Sequence, residues 1–160
     1  MASVGEALIK ACRNGQAREV RGFLSGGADV NYVNEQGGTP LMVASQKGHV
    51  EVVDMLLSAE ANANAANDKG HTPLYYASLQ GHHVVVQHLL ASGADIHAVT
   101  NKGCTSLMAA SQEGHDQVMQ CLLFGTLPLT GLSTGMLPSR LSVSLLSLFS
   151  LFCSISVFCF

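Results

Sequence analysis

The sequence predicts an all-α solenoid of helix–turn–helix units joined by short β-hairpin-like turns, with a hydrophobic tail at its C-terminal end. Three series of residues predict it, each advancing by 33 positions. Thr39, Thr72 and Thr105 form the first, Gly15, Gly48, Gly81 and Gly114 the second, and Leu24, Leu57, Leu90 and Leu123 the third. Ala28, Ala61 and Ala94 keep the same step, and His49, His82 and His115 each follow one of the glycines. Self-similarity at such a period marks a stacked array in which no unit can bury its apolar face alone. Four units result, about 4–33, 34–66, 67–99 and 100–124, the first without its leading turn. They make a repeat domain over residues 1–124, followed by a linker at 125–140 and the tail at 141–160.

The elements of a unit follow from local chemistry. Thr39, Thr72 and Thr105 are N-caps, whose hydroxyls can accept from the unpaired N–H groups of a first turn. Pro40 and Pro73 come next, at N1, where a missing N–H costs nothing and φ is preset. A short helix is predicted over Leu41–Lys47 and Leu74–Gln80, each ended by a left-handed glycine, Gly48 or Gly81. In the second helix, Val50, Val53, Leu56 and Leu57, and then Val84, Val85, Val86, Leu89 and Leu90, fall at helical spacing. Leu90 is expected to fill the space between units, so that truncating it to Ala costs about 2–5 kcal/mol. This helix ends at Gly27 in the first unit and Gly93 in the third, and residues 28–37 then read as an extended strand and turn. Glu60 stands in that glycine column and is predicted to take a positive φ, at a cost of about 1 kcal/mol.

The segment Gly70-His71-Thr72-Pro73-Leu74, with Gly81-His82, Leu89-Leu90 and Gly93-Ala94-Asp95-Ile96, resembles an ankyrin repeat nearly column for column. The resemblance spans about residues 4–124. Departures are Glu60, Ser106 in place of the N1 proline, and Met42, Tyr75 and Met108 where the family usually carries His. After Phe124 the pattern stops: Thr126-Leu127-Pro128-Leu129 replaces Gly-Ala-Asp-Val. The resemblance implies a partner protein docked on the concave side, on hairpin tips and the exposed end of the first helix. Its columns carry over to Glu35, Gln36 and Gly38 with Gln46 and Lys47, then to Asp68, Lys69 and His71 with Leu79 and Gln80. The fourth unit supplies Asn101, Lys102 and Cys104 with Gln112 and Glu113. Tyr75 and Leu79 attract attention within this set, because aromatic anchors dominate interface energetics and exposed apolar groups mark contact sites.

Other function classes find little support. Net charge is −3, and the chain lacks the clustered Lys and Arg of a nucleic-acid footprint. His82 and His83 point about 100° apart on a helix and cannot chelate from one face; with His88 and Cys104 they make no ligand set of metal-site spacing. No nucleophile elbow, zinc-protease motif or phosphate-cradling loop appears, so neither catalysis nor a cofactor is expected. Cys12, Cys104, Cys121, Cys153 and Cys159 are read as reduced thiols, which places the chain in cytoplasm or nucleus, and the N-terminus carries no secretory cue.

Residues 141–160 contain no charge and, as a helix, would span about 30 Å, the thickness of a bilayer core. With Arg140 just before them, they read as a C-terminal tail anchor that would hold the repeats at the cytosolic face of a membrane. They read equally as a stretch foreign to the array, from an alternative transcript end or a gene-model error. A third reading, from the Ser-Val-Ser and Ser-Ile-Ser alternation, is an aggregation-prone strand.

Overall fold

The computed structural model describes residues 3–124; the linker at 125–140 and the tail at 141–160 lie outside them. The described residues form α1 (Val4–Arg13), α2 (Ala17–Ser25), α3 (Pro40–Lys47), α4 (Val50–Ser58), α5 (Pro73–Leu79), α6 (His83–Ala91), α7 (Ser106–Gln112) and α8 (Asp116–Phe124). Consecutive helices pair, and the pairs stack in two rows. First helices α1, α3, α5 and α7 pack one on the next, and so do second helices α2, α4, α6 and α8. The substantial packing is all within a pair or between neighbouring pairs, as a solenoid requires.

The threonine column caps as its spacing predicts. Oγ1 of Thr39, Thr72 and Thr105 accepts from the backbone N–H of Met42, Tyr75 and Met108 at 3.3, 3.2 and 3.2 Å. The helix-ending glycines Gly15, Gly48, Gly81 and Gly114 adopt φ of 69°, 74°, 77° and 73°. Glu60 has φ 64° and is the non-glycine residue of positive φ among those described. The first unit departs from its period. Here α1 is capped by Ser3, whose hydroxyl accepts from Glu6 N–H at 3.2 Å, and the helix starts at Val4.

The extended strand expected at 28–37 is not there. These residues form turns, and the β pairing among the described residues is an isolated antiparallel bridge between Val99 and Thr105. Each hairpin is closed too tightly for a ladder. Asn34 donates its N–H to the Gly38 carbonyl at 3.0 Å, while its Oδ1 accepts from Gln36 N–H at 3.0 Å and Gly38 N–H at 2.8 Å. Asn67 repeats the arrangement with His71 and Lys69, and Thr100 closes its tip through Oγ1 on Cys104 N–H at 3.1 Å. A side-chain oxygen thus takes the donor that a second strand would need.

The core runs along the array in columns: Leu8, Leu41 and Leu74; Ala11, Ala44, Ala77 and Ala110; Val20, Val53 and Val86; Leu56, Leu89 and Leu122. The alanine column allows the first helices to approach closely. In the second helices the inward column is that of Leu56 and Leu89, both fully buried, whereas Leu57 and Leu90 are only partly buried. Neighbours on a helix diverge by about 100°, so only one leucine of each doublet can face the interior. Leu90 therefore lies at the margin, and the space between units is filled by Leu89. Cys12, Ser45 and Ser78 share one column of the first-helix row, all fully buried. Burial pushes the Cys12 thiol up to about 12, and the two serine hydroxyls find no hydrogen-bond partner among the described residues.

Candidate functional site

Two sets of contacts hold the units in register and so position the surface residues. The first lies at the glycine–histidine corners. His49 Nε2 meets the Arg13 carbonyl at 3.1 Å, His82 Nε2 the Gln46 carbonyl at 3.2 Å, and His115 Nε2 the Leu79 carbonyl at 3.1 Å. A carbonyl only accepts, so Nε2 carries the proton in each ring. The rings lie flat against the preceding corner: a Cβ at Gly48 would stand 2.6 Å from His82 Nδ1, and one at Gly81 2.7 Å from His115 Nδ1. Glycine is required there twice over, for its φ and for the space.

The second set joins the hairpin tips. Asn101 donates its backbone N–H to the Lys69 carbonyl at 3.0 Å and its Nδ2 to the Asp68 carbonyl at 2.8 Å. Gly37 and Gly70 pass so close to the next tip that a Cβ would lie 2.8 Å from Asp68 Oδ1 and Asn101 Oδ1 respectively. Glu35 and Gln36, Asp68 and Lys69, and Asn101 and Lys102 are thereby brought onto consecutive tips, all six exposed. At the ends of the first helices, Lys47, Gln80, Gln112 and Glu113 are exposed, and Gln46 and Leu79 are half-buried beside the histidine corners that use their carbonyls. Gly38 is half-buried under the Asn34 side chain. Cys104, in contrast, is 2% exposed and offers no surface to a partner. It is also disulfide-bonded, so the reading of all five cysteines as reduced thiols does not hold for it, while Cys12 and Cys121 carry free thiols.

Between the third-unit tip and α5 stands an aromatic cluster. The His71 ring stacks on Tyr75, with centroids 4.6 Å apart and planes at 23°, and meets Tyr76 edge-on at 5.3 Å. Tyr76 Oη accepts from Asn67 Nδ2 at 3.0 Å, which ties the cluster to the hairpin. Both tyrosines are half-buried. Burial and then the neighbouring Tyr76 push the Tyr75 phenol up. Burial, followed by the ammonium groups of Lys69 and Lys102, holds His71 below its usual value. Sequence reasoning missed Tyr76 and Met108. Met108 occupies the Tyr75 column on α7 and is 40% exposed, so the apolar surface extends across two units. The doublet Tyr75-Tyr76 just inside a capped helix was the available signal for Tyr76.

The second-helix row is different in kind. Asp54 Oδ1 and His88 Nδ1 meet between α4 and α6 over a shallow cleft lined by Leu57, Ser58, Ala91 and Ser92. Among the described residues no helix is long and apolar enough to cross a membrane, and no three His, Cys, Asp or Glu side chains group as a metal site.

No curated protein matches the chain. A family model described as ankyrin repeats in three copies matches residues 4–67 and 60–127. The capped helix pairs, the left-handed corners and the stacked tips agree with that match, and the chain belongs to the ankyrin-repeat family.

Proposed function

We propose that the chain is a non-catalytic adaptor that binds a partner protein through its hairpin tips and first-helix row, the concave side in the family. Ankyrin repeats are in general protein-interaction modules. One observation supports the reading most. The corner column that latches unit to unit repeats as His49, His82 and His115, whereas the tip columns change: Glu35, Asp68 and Asn101 in one, and Gln36 against Lys69 and Lys102 in the next. A fixed scaffold with free tips is what selection for docking leaves behind. A photo-crosslinking residue at Gln80 tests it against one at Glu51, which is exposed on the second-helix row. In cell extract the Gln80 probe should capture a discrete protein that the Glu51 probe does not; equal capture, or capture at Glu51 alone, refutes the assignment.

A second reading adds a membrane to the same module and rests on the sequence of residues 141–160, twenty positions without a charge. In it the tail supplies location and the repeats supply specificity. Full-length chain should then resist alkaline extraction from membranes, and a Leu145→Arg/Leu148→Arg variant should be released. Extraction of both removes the anchor.

A further inference from the structure

We infer that the surface spanning the third and fourth units receives an acidic peptide segment carrying an apolar side chain, with carboxylates on Lys69 and Lys102 and the apolar group on Tyr75 and Met108. This rests on the proposed docking face and names the chemistry of what docks there.

The lysines come first. They occupy the same column of adjoining tips, and the Asn101 N–H to Lys69 carbonyl bond holds those tips together. Both are exposed, and neither forms a salt bridge among the described residues. Of the charged side chains on these two tips (residues 67–71 and 100–104), Asp68 is the carboxylate, which leaves a net positive charge with His71 neutral. The second-unit tip, residues 34–38, has Glu35 and no cation, so the positive end of the row is the one beside the aromatic cluster. At the level of the tips, an acidic segment is complementary to that end and is repelled by Glu35 at the other.

The apolar half of the site adjoins the charges. His71, two residues beyond Lys69, stacks on Tyr75, and its ring responds to both ammonium groups. Leu79 lies one turn further along α5, and Met108 occupies the Tyr75 column on α7. Stacking on His71 restrains the Tyr75 ring before any partner arrives, so binding need not order it. Cations flanking a half-buried aromatic surface select a carboxylate next to an aromatic or aliphatic residue over either feature alone.

The test is fluorescence anisotropy on the full chain with a labelled nonapeptide of four Asp/Glu residues around a central Phe. Two comparison peptides exchange the acids for Lys or the Phe for Ser. The acidic Phe peptide should bind about tenfold more tightly than either, and added salt should weaken it. A Lys69→Gln/Lys102→Gln variant should lose about tenfold for that peptide alone, whereas Tyr75→Ser should weaken every peptide that binds. Equal affinity for the acidic and basic peptides, no binding of any peptide, or unchanged affinity in the lysine variant overturns the acidic preference. The docking face then still stands if Tyr75→Ser weakens binding or if the Gln80 crosslink persists, and falls if neither holds. Unchanged thermal melts of the variants exclude loss through unfolding.

Discussion

At Glu60 a side chain with a Cβ occupies a conformation that the equivalent Gly27 and Gly93 adopt freely. The left-handed region costs a non-glycine residue about 1 kcal/mol, and Glu60 is exposed, so little is lost with its side chain. Glu60→Gly should therefore raise the urea midpoint by the equivalent of about 1 kcal/mol; a lower midpoint contradicts it. Gly5 behaves oppositely. In an isolated helix Ala improves on Gly by about 1 kcal/mol, but a Cβ at Gly5 would lie 2.2, 2.3 and 2.6 Å from three atoms of the Tyr32 ring. Displacing that ring also breaks its 3.1 Å bond to Glu6 Oε1. Overpacking of this kind costs about 1–3 kcal/mol, so Gly5→Ala should destabilise, and in a Tyr32→Ala background the same change should stabilise. His71 adds a pH dependence. Its native pKa lies below 6.5, so the folded state disfavours its charged form. The unfolded chain then binds more protons as pH falls beneath 6.5, and stability present above that value is lost through the native pKa. Between about pH 7.5 and pH 5 the urea midpoint should therefore fall further in the wild type than in His71→Gln, and equal falls contradict it. Glu60 was legible in the sequence because its column shows glycine on either side. The Gly5–Tyr32 contact was not, since no other unit has a helix in that place to compare.

Among the elements, α7 keeps the threonine cap of α3 and α5 but lacks their N1 proline. Ser106 takes the place of Pro40 and Pro73, it is buried, and its hydroxyl finds no partner among the described residues. Thr105 already has φ −94° and ψ 164°, the extended conformation that a following proline demands. Ser106→Pro removes an unpaired hydroxyl and restricts the unfolded chain, so it should stabilise by about 1 kcal/mol, read as a higher melting temperature. Helix starts were legible because a threonine, a proline and an apolar run state them locally. The hairpins were misread as strands because Val30, Tyr32 and Val33 have strand-like composition. Composition is silent about the Asn34 carboxamide, which closes the turn within five residues.

For the array of helices, stability is a sum over units and their junctions, since the substantial packing among the described residues runs only between neighbours. Leu89 is fully buried in the third unit, with helices stacked on both sides. Leu89→Ala should cost about 2–5 kcal/mol, and Leu90→Ala distinctly less, by chemical denaturation. Period and order of units were legible at this scale, because a constant step is itself a statement about neighbours. The choice between adjacent leucines was not, since both satisfy a helical repeat and only the opposing unit decides which is covered. The docking columns were legible as positions; the union of His71, Tyr75 and Tyr76 into one cluster depends on side-chain directions that no spacing encodes.

The imidazole latch makes the unit a length as well as a shape. Each ring reaches a carbonyl 36 residues earlier, in Arg13–His49, Gln46–His82 and Leu79–His115 alike. Excising residues 49–81 would put His82 directly after Gly48, where it inherits the seat of His49 over Gly15 and the Arg13 carbonyl. Duplicating the same block orphans no ring either. Gain or loss of a whole 33-residue block cut at the corners therefore leaves every latch with a catch.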